Sequence, residues 1–270
     1  MLSRFTPSIL GLWTHRNLLW QFTMRNVEIK HKGSYLGLAW SALNPLLMLG
    51  LYVFVFGYIF GGSFGMTENE TPIEYGLGIF LGLTIFHFAA EVLGLSVTNI
   101  AGNPNFVKKV VFPLEILPAA TVGASLAHMI TSLTLFLIGM VFFGPGLTLS
   151  SLWLPLILLP VVLLLLGISW LFSALGVFFR DLSQFMQFLT MALMFSSGVF
   201  YSAQNIPSAA WEYLRFNPLL LAIELTRNTV LWQLPLNYRH YAYLCLAGLT
   251  TCLIGYAAFK RMRPAFADVL

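Results

Sequence analysis

WLPLILLPVVLLLLGISWLFSALGVFF, residues 153–179, runs 27 positions without a charged side chain and stops at Arg180-Asp181. A bilayer core of about 30 Å is crossed by about 20 apolar residues in helical form. In hydrocarbon the backbone must satisfy its own polar groups, so a span of this kind reads as a helix. Outward from it, further apolar stretches lie at 37–60, 76–98, 118–143, 184–201 and 241–259, the last two short for a full crossing. The chain is 58% hydrophobic and 9% charged, against about a quarter charged in soluble proteins. The fold class is therefore an all-α integral membrane protein with six transmembrane helices. One membrane domain is the simplest reading of 270 residues.

The charges orient it. Eleven of the fourteen Lys and Arg fall on one side of these spans. They are Arg4, Arg16, Arg25, Lys30 and Lys32 before the first, Lys108 and Lys109 after the second, Arg180 after the fourth, and Lys260, Arg261 and Arg263 after the last. The alternate loops differ: 61–75 carries Glu68, Glu70 and Glu74 without a basic residue, and 144–152 is uncharged. By the positive-inside rule both termini are cytoplasmic. The first 32 residues are polar and amphipathic, unlike a cleavable signal peptide. Cys245 and Cys252 both lie in the last span, about 10 Å apart along its axis, which excludes a disulfide between them.

Residues 1–36 read as an N-terminal interfacial segment and 37–270 as the membrane domain. Within the first, apolar Leu12, Trp13, Leu18, Leu19 and Phe22 interleave with Arg16, Arg25 and Lys30, the pattern of a helix along a membrane surface. Such a helix either simply anchors the chain or also packs on a soluble partner. Asn44-Pro45 in span 1 predicts a kink or a change of direction. Gly57/Gly61 and Gly78/Gly82 form two GxxxG pairs, permitting close helix packing. The loop 99–117, bracketed by Pro104, Pro113 and Pro118, combines apolar Phe106, Val107, Val110 and Val111 with Lys108 and Lys109. That is a short cytoplasmic helix with a docking surface. Residues 202–240 are too apolar for a solvated loop. Asn217 as cap with Pro218 at the first helical position predicts a helix start, and two short helices dipping into the outer leaflet follow. Glu224 and Arg227, three apart, are expected to pair.

Glu91 is the one carboxylate deep in a span, where a charge costs roughly 3 kcal/mol. His87, four residues earlier, is its expected partner, and both could line a polar path. His128 in span 3 reads as a buried hydrogen-bonding residue. No metal-ligand set, nucleophile motif or GxxxxGK[ST] loop occurs. Among many aromatics, Tyr35, Trp40, Tyr52, Phe56, Phe195, Phe200 and Tyr201 are candidates to stack on sugar rings.

The run Lys30-His-Lys-Gly-Ser-Tyr-Leu-Gly-Leu-Ala-Trp40-Ser-Ala-Leu-Asn-Pro45-Leu, continuing to Tyr52-Val-Phe-Val-Phe56, resembles the N-terminal signature of polysaccharide ABC exporter permeases. These are the type-2 exporters of O-antigen, capsule and teichoic acid. Asn105-Phe-Val-Lys-Lys-Val-Val-Phe-Pro-Leu-Glu-Ile-Leu-Pro118, Phe178-Phe-Arg-Asp-Leu182, and Gly198-Val-Phe-Tyr201 with Asn217-Pro-Leu219 and Arg227 are similar in the same order. Gly198 departs from the pattern, where many relatives carry Pro. The resemblance implies a non-enzymatic transport subunit, paired with a second copy around a channel. It implies two copies of a separate P-loop ATPase, which would hold the ATP and Mg, and no nucleic acid. It further implies a coupling helix at Asn105, Phe106, Val107, Lys108, Lys109 and Val110, and re-entrant gate helices between helices 5 and 6 carrying Pro207, Asn217, Pro218, Glu224 and Arg227. For a lipid-linked polysaccharide, Arg25, Lys30, Lys32 and Arg180 are the candidates to meet the carrier headgroup or membrane lipids. A secondary transporter would need paired broken helices, and a membrane-embedded transferase an acid–base cluster; the sequence displays neither.

Overall fold

The computed structural model describes residues 13–31, 35, 37–66, 70–179 and 181–270, and every regular element among them is helical. Lys32, Arg180, Glu68 and the first twelve residues lie outside this set. Among the described residues, five helices are long and apolar enough to cross a membrane.

The amphipathic segment forms α1, Arg16–His31. It runs alongside the third span. Thr23 sits against Gly123, where a Cβ would come within 2.8 Å of the threonine Oγ1, and Lys30 Nζ lies 3.2 Å from His128 Nδ1. Span 1 is α2, Trp40–Tyr52, extended by a π-helical segment, Val53–Ile59. The Asn44-Pro45 pair lies inside this helix. Pro45 removes one backbone hydrogen bond, but the helix continues through it and Asn44 is an interior position, not a cap. The irregularity comes later, where the Phe60 amide donates to the Val55 carbonyl at 3.0 Å.

Span 2, α3, Pro72–Ser96, begins with a capping box. The Thr71 hydroxyl accepts from the Glu74 amide, and the Glu74 carboxylate accepts from the Thr71 amide at 2.8 Å. Two donors that every helix start leaves open are thereby satisfied. Glu74, a loop acid by sequence, is thus a structural cap. Glu70 orders the turn before it, accepting from Ser63 Oγ at 2.7 Å and from the amides of Phe64 and Gly65. Buried side chains cover every face of α3, which makes it the axis of the protomer. Span 1 is its opposite, with almost nothing buried.

After α3 come the short α4, Pro104–Lys108, then α5, Ile116–Phe143, and α6, Trp153–Phe178. The expected fifth span is α7, Leu182–Ser196. Its 15 residues extend about 22 Å as a helix, short of the bilayer core as its sequence suggested. The hairpin holds α8, Ser208–Leu214, and α9, Pro218–Thr226, followed by a second π segment, Arg227–Leu231. The last span, expected to be short, is the 25-residue α10, Tyr238–Met262, capped by Asn237. The chain then closes with α11, Phe266–Val269.

Helices α6 and α10 form the most extensive pair. Their approach rests on Gly167, Gly248 and Gly255, each facing the partner helix's backbone with no room for a Cβ. Of the GxxxG glycines, Gly57, Gly78 and Gly82 meet neighbours, whereas Gly61 faces open space. Gly255→Leu is expected to separate α6 from α10, since the side chain would have to occupy the Gly167 backbone. Overpacking of well-filled contacts costs about 1–3 kcal/mol or more. The check is the melting point in detergent, and an unchanged value would refute the contact.

Among the described residues two principal apolar cores form, with a minor third cluster at Leu93, Val97 and Met186. The larger surrounds α3 with residues of α5, α6, α9 and the second π segment. The smaller gathers Ile100, Leu114, Leu117, Trp170, Phe259 and Phe266, with Phe22, Phe106 and Phe112 at its margin.

Candidate functional site

The 99–117 loop is tied into the smaller core. Phe106 meets Phe112 at 4.7 Å between ring centroids and Phe22 at 5.5 Å, and Phe22 meets Phe112 at 5.1 Å. Trp170 Nε1 donates to the Glu115 carbonyl at 3.1 Å, while Arg263 Nη1 pairs with the Glu115 carboxylate at 3.2 Å. One loop is therefore braced by the N-terminal helix, by span 4 and by the C-terminal segment. Within the expected coupling set, Phe106 and Val107 are half-buried and pack at the margin of the smaller core. Bulky aromatics beside an apolar core lose less surface to water by packing inward. Asn105, Lys108, Lys109 and Val110 are exposed, and they are joined by Val111 at 88% exposure.

The hairpin is anchored at its second helix. Asn217 Oδ1 accepts from the Leu219 amide at 3.0 Å and from Leu220, as its cap position requires. Its Nδ2 donates to the Ser196 carbonyl at 3.1 Å, tying α9 to the end of α7. Pro218 follows as the first helical residue, and Pro207 precedes α8 at an exposed position. Helix α9 is buried along nearly all its length, so its backbone is covered by protein, the condition for irregular chain at membrane depth.

Arg227 is 3% exposed. Its expected ion pair with Glu224 does not form. The guanidinium donates to the Gly198 carbonyl at 2.5 Å and to the Tyr201 carbonyl at 3.5 Å, and its carbon lies 4.1 Å from the Phe64 ring centroid. A planar five-donor group suits two convergent carbonyls and an aromatic face. Glu224 lies beside Asn228 instead. Gly198 has φ +64°, a left-handed conformation that glycine adopts without strain and proline cannot reach. In this conformation the Gly198 carbonyl accepts from Arg227.

Glu91 is also partnered differently from expectation. It accepts from Lys30 Nζ at 3.0 Å and lies 3.1 Å from His128 Nδ1. Neither is within 30 positions in sequence, whereas His87 lies exposed into the adjoining cavity without a hydrogen bond to Glu91. Lys30, a headgroup candidate by sequence, is held by this network. Arg25 is exposed at its guanidinium and rests on the Phe22 ring at 4.6 Å.

The aromatic candidates divide. Tyr52 and Phe56 form a ladder with Phe60, and Phe56 stacks on Phe200 at 5.4 Å. Tyr201 Oη donates to the Phe195 carbonyl at 2.6 Å, with the Phe195 ring 60% exposed. Trp40 lines a cavity beside Lys30, and Tyr35 is fully exposed. Among the described residues no group of three or more His, Cys, Asp or Glu is placed to hold a metal.

A family model described as "ABC-2 type transporter" matches residues 17–231. A permease protein of an O-antigen export system, RfbA of Klebsiella pneumoniae, is 29% identical over 259 residues, 94% of this chain and 95% of that protein. The polysialic acid transport protein KpsM of Escherichia coli is 26% identical over 248 residues, 90% of this chain and 92% of that protein.

Proposed function

The chain belongs to the ABC-2 type transporter family, and from that premise we propose that it is the permease of a polysaccharide exporter driven by a separate ATPase. It is a multi-pass membrane transport subunit and not an enzyme. The observation that carries the finer reading is the exposed run Lys108–Val111, basic and apolar together, on a loop braced from three directions. Such a braced surface transmits force from a soluble partner into the helices; an unbraced one would only flex.

On this reading two copies of the chain enclose the channel, and the exposed faces of α2 and α7 supply its walls, with Phe195 and the Tyr52–Phe56–Phe200 ladder as aromatic contacts for sugar rings. The substrate is a lipid-linked polysaccharide, ATP and Mg belong to two partner ATPase subunits, and the protein resides in a bacterial inner membrane with both termini in the cytoplasm. The decisive experiment is purification of the tagged permease from membranes that also contain its ATPase. Recovery of a complex with two copies of each supports the proposal; a permease that exports in the absence of any ATPase would end it.

The hairpin acts as the outer gate. Single cysteines at Asn205, Ala209 and Asn228 in a Cys245→Ala/Cys252→Ala background report it, with a membrane-impermeant thiol reagent added from outside. Asn205 and Ala209 are exposed while Asn228 is half-buried, so strong labelling is expected at the first two and weak labelling at 228. Labelling at 228 should rise when ATP and substrate are supplied. Equal labelling at all three under every condition would mark a solvated loop without gate function.

A further inference from the structure

Two cavities meet at the Lys30–Glu91 contact. One, of about 540 Å³, lies between span 1, α3 and α5 and is lined by Trp40, Asn44, Tyr52, Thr84 and His128. The other, of about 680 Å³, opens beside α1 and the 99–103 turn and is lined by Asn26, Thr98, Asn99, Asn103 and Thr121. Lys30 and Glu91 line both. Each volume is in the range of small-molecule sites, about 300–1,000 Å³. All these residues belong to a single protomer, and Tyr52 also belongs to the aromatic ladder proposed above as a channel wall.

The lining chemistry selects a ligand. Lys30 and Glu91, 3.0 Å apart, leave almost no net charge. A phosphate would meet the Glu91 carboxylate and a cation the Lys30 ammonium, each at close range. A neutral polyhydroxylated ring meets neither penalty, because its hydroxyls accept from Lys30 and the asparagine amides and donate to Glu91. Trp40 supplies a broad apolar face for the C–H side of such a ring. Two buried groups have no hydrogen-bond partner among the described residues, Ser125 Oγ in the first cavity and Asn99 Nδ2 in the second. Ser125 is 1% exposed, and burying a hydroxyl without a partner costs about 1–3 kcal/mol. A ligand hydroxyl would relieve it.

We propose that these joined cavities form a saccharide-binding site within each protomer, with the Lys30–Glu91 pair as its polar centre and Trp40 as its stacking wall. The exporter reading supplies the sugar's origin, but the binding itself is independent of it. The test uses the full-length permease alone in lipid nanodiscs, so its outcome stands whether or not an ATPase associates. Binding of octyl β-glucoside and octyl β-galactoside, below micelle-forming concentration, is compared with octyl phosphate as an anion of equal chain length. At least one glycoside should bind and octyl phosphate should not. Trp40→Ala should weaken glycoside binding roughly tenfold, equivalent to one factor of ten in Kd. Glu91→Gln should weaken it several-fold while admitting octyl phosphate. Thr98→Phe, at an exposed position on the rim of the lower cavity, blocks the site without touching the ion pair and guards against misfolding of the other variants. Competition by methyl β-glucoside identifies the sugar ring alone as sufficient, whereas its failure to compete assigns the site to a glycolipid head; either result supports the site. Glycoside binding insensitive to Trp40→Ala and Thr98→Phe, no glycoside binding, or tighter binding of octyl phosphate by the wild type would each overturn the proposal.

Discussion

Val110→Asp/Val111→Asp is expected to abolish association with the ATPase and reduce export to background, while the permease still inserts and remains folded. Both side chains point into solvent, at 56% and 88% exposure, so the free permease loses no packing. In a docked complex each aspartate would place a charge in an apolar contact. Central interface positions cost about 2 kcal/mol or more when truncated, and two buried charges together weaken binding by at least about 100-fold. Phe106→Asp is the instructive contrast. It breaks the contact among Phe22, Phe106 and Phe112, so it should lower the melting point of the permease itself. Quantitative co-purification of the double variant with its ATPase would remove 99–117 from the coupling role.

Arg227→Ala should be the most destabilising single change in the hairpin, by about 1–3 kcal/mol for each buried carbonyl left without its donor. It leaves the carbonyls of Gly198 and Tyr201 without their donor, and it leaves half-buried Glu224 without the nearby positive charge. The measurement is thermal unfolding in detergent, paired with thiol labelling at 228, which should become strong in the resting state. Arg227→Lys keeps the charge but cannot fork between two carbonyls, so an intermediate loss is expected. A melting point within experimental error of wild type for Arg227→Ala would show that the carbonyl cradle contributes nothing to the hairpin.

Features set by local chemistry were legible in the sequence. The span positions follow from apolar length, and the start of α9 from Asn217-Pro218, because a cap needs only its own next residues. His128, expected to be buried and hydrogen-bonded, is half-buried and does hydrogen-bond, because an imidazole in a largely apolar span needs a polar partner. Partners drawn from distant segments were not legible. Glu91 has a plausible neighbour in His87, one helical turn away, yet it bonds to Lys30 and His128 because α1 packs against α5. Arg227 has Glu224 at pairing distance along the helix, but the left-handed Gly198 brings a carbonyl closer. Phe106 and Val111 are both apolar loop residues. Only the arrival of Phe22 from α1 decides that the first turns inward and the second does not.

The π-helical segment at Val53–Ile59 bears on how relatives of this protein should be aligned. Each of its hydrogen bonds encloses one more residue than an α-helical bond. A relative one residue shorter between Tyr52 and Phe60 could close the same stretch as ordinary helix, keeping its length across the membrane nearly unchanged. The flanking turns would then keep nearly the same faces, because the wider turn of the π segment takes up the extra residue. A single-residue gap there would accordingly record the loss of the wide turn and not a rotation of the first span. Placed elsewhere in the span, the same gap would turn one end by about 100° relative to the other, the angle of one helical residue.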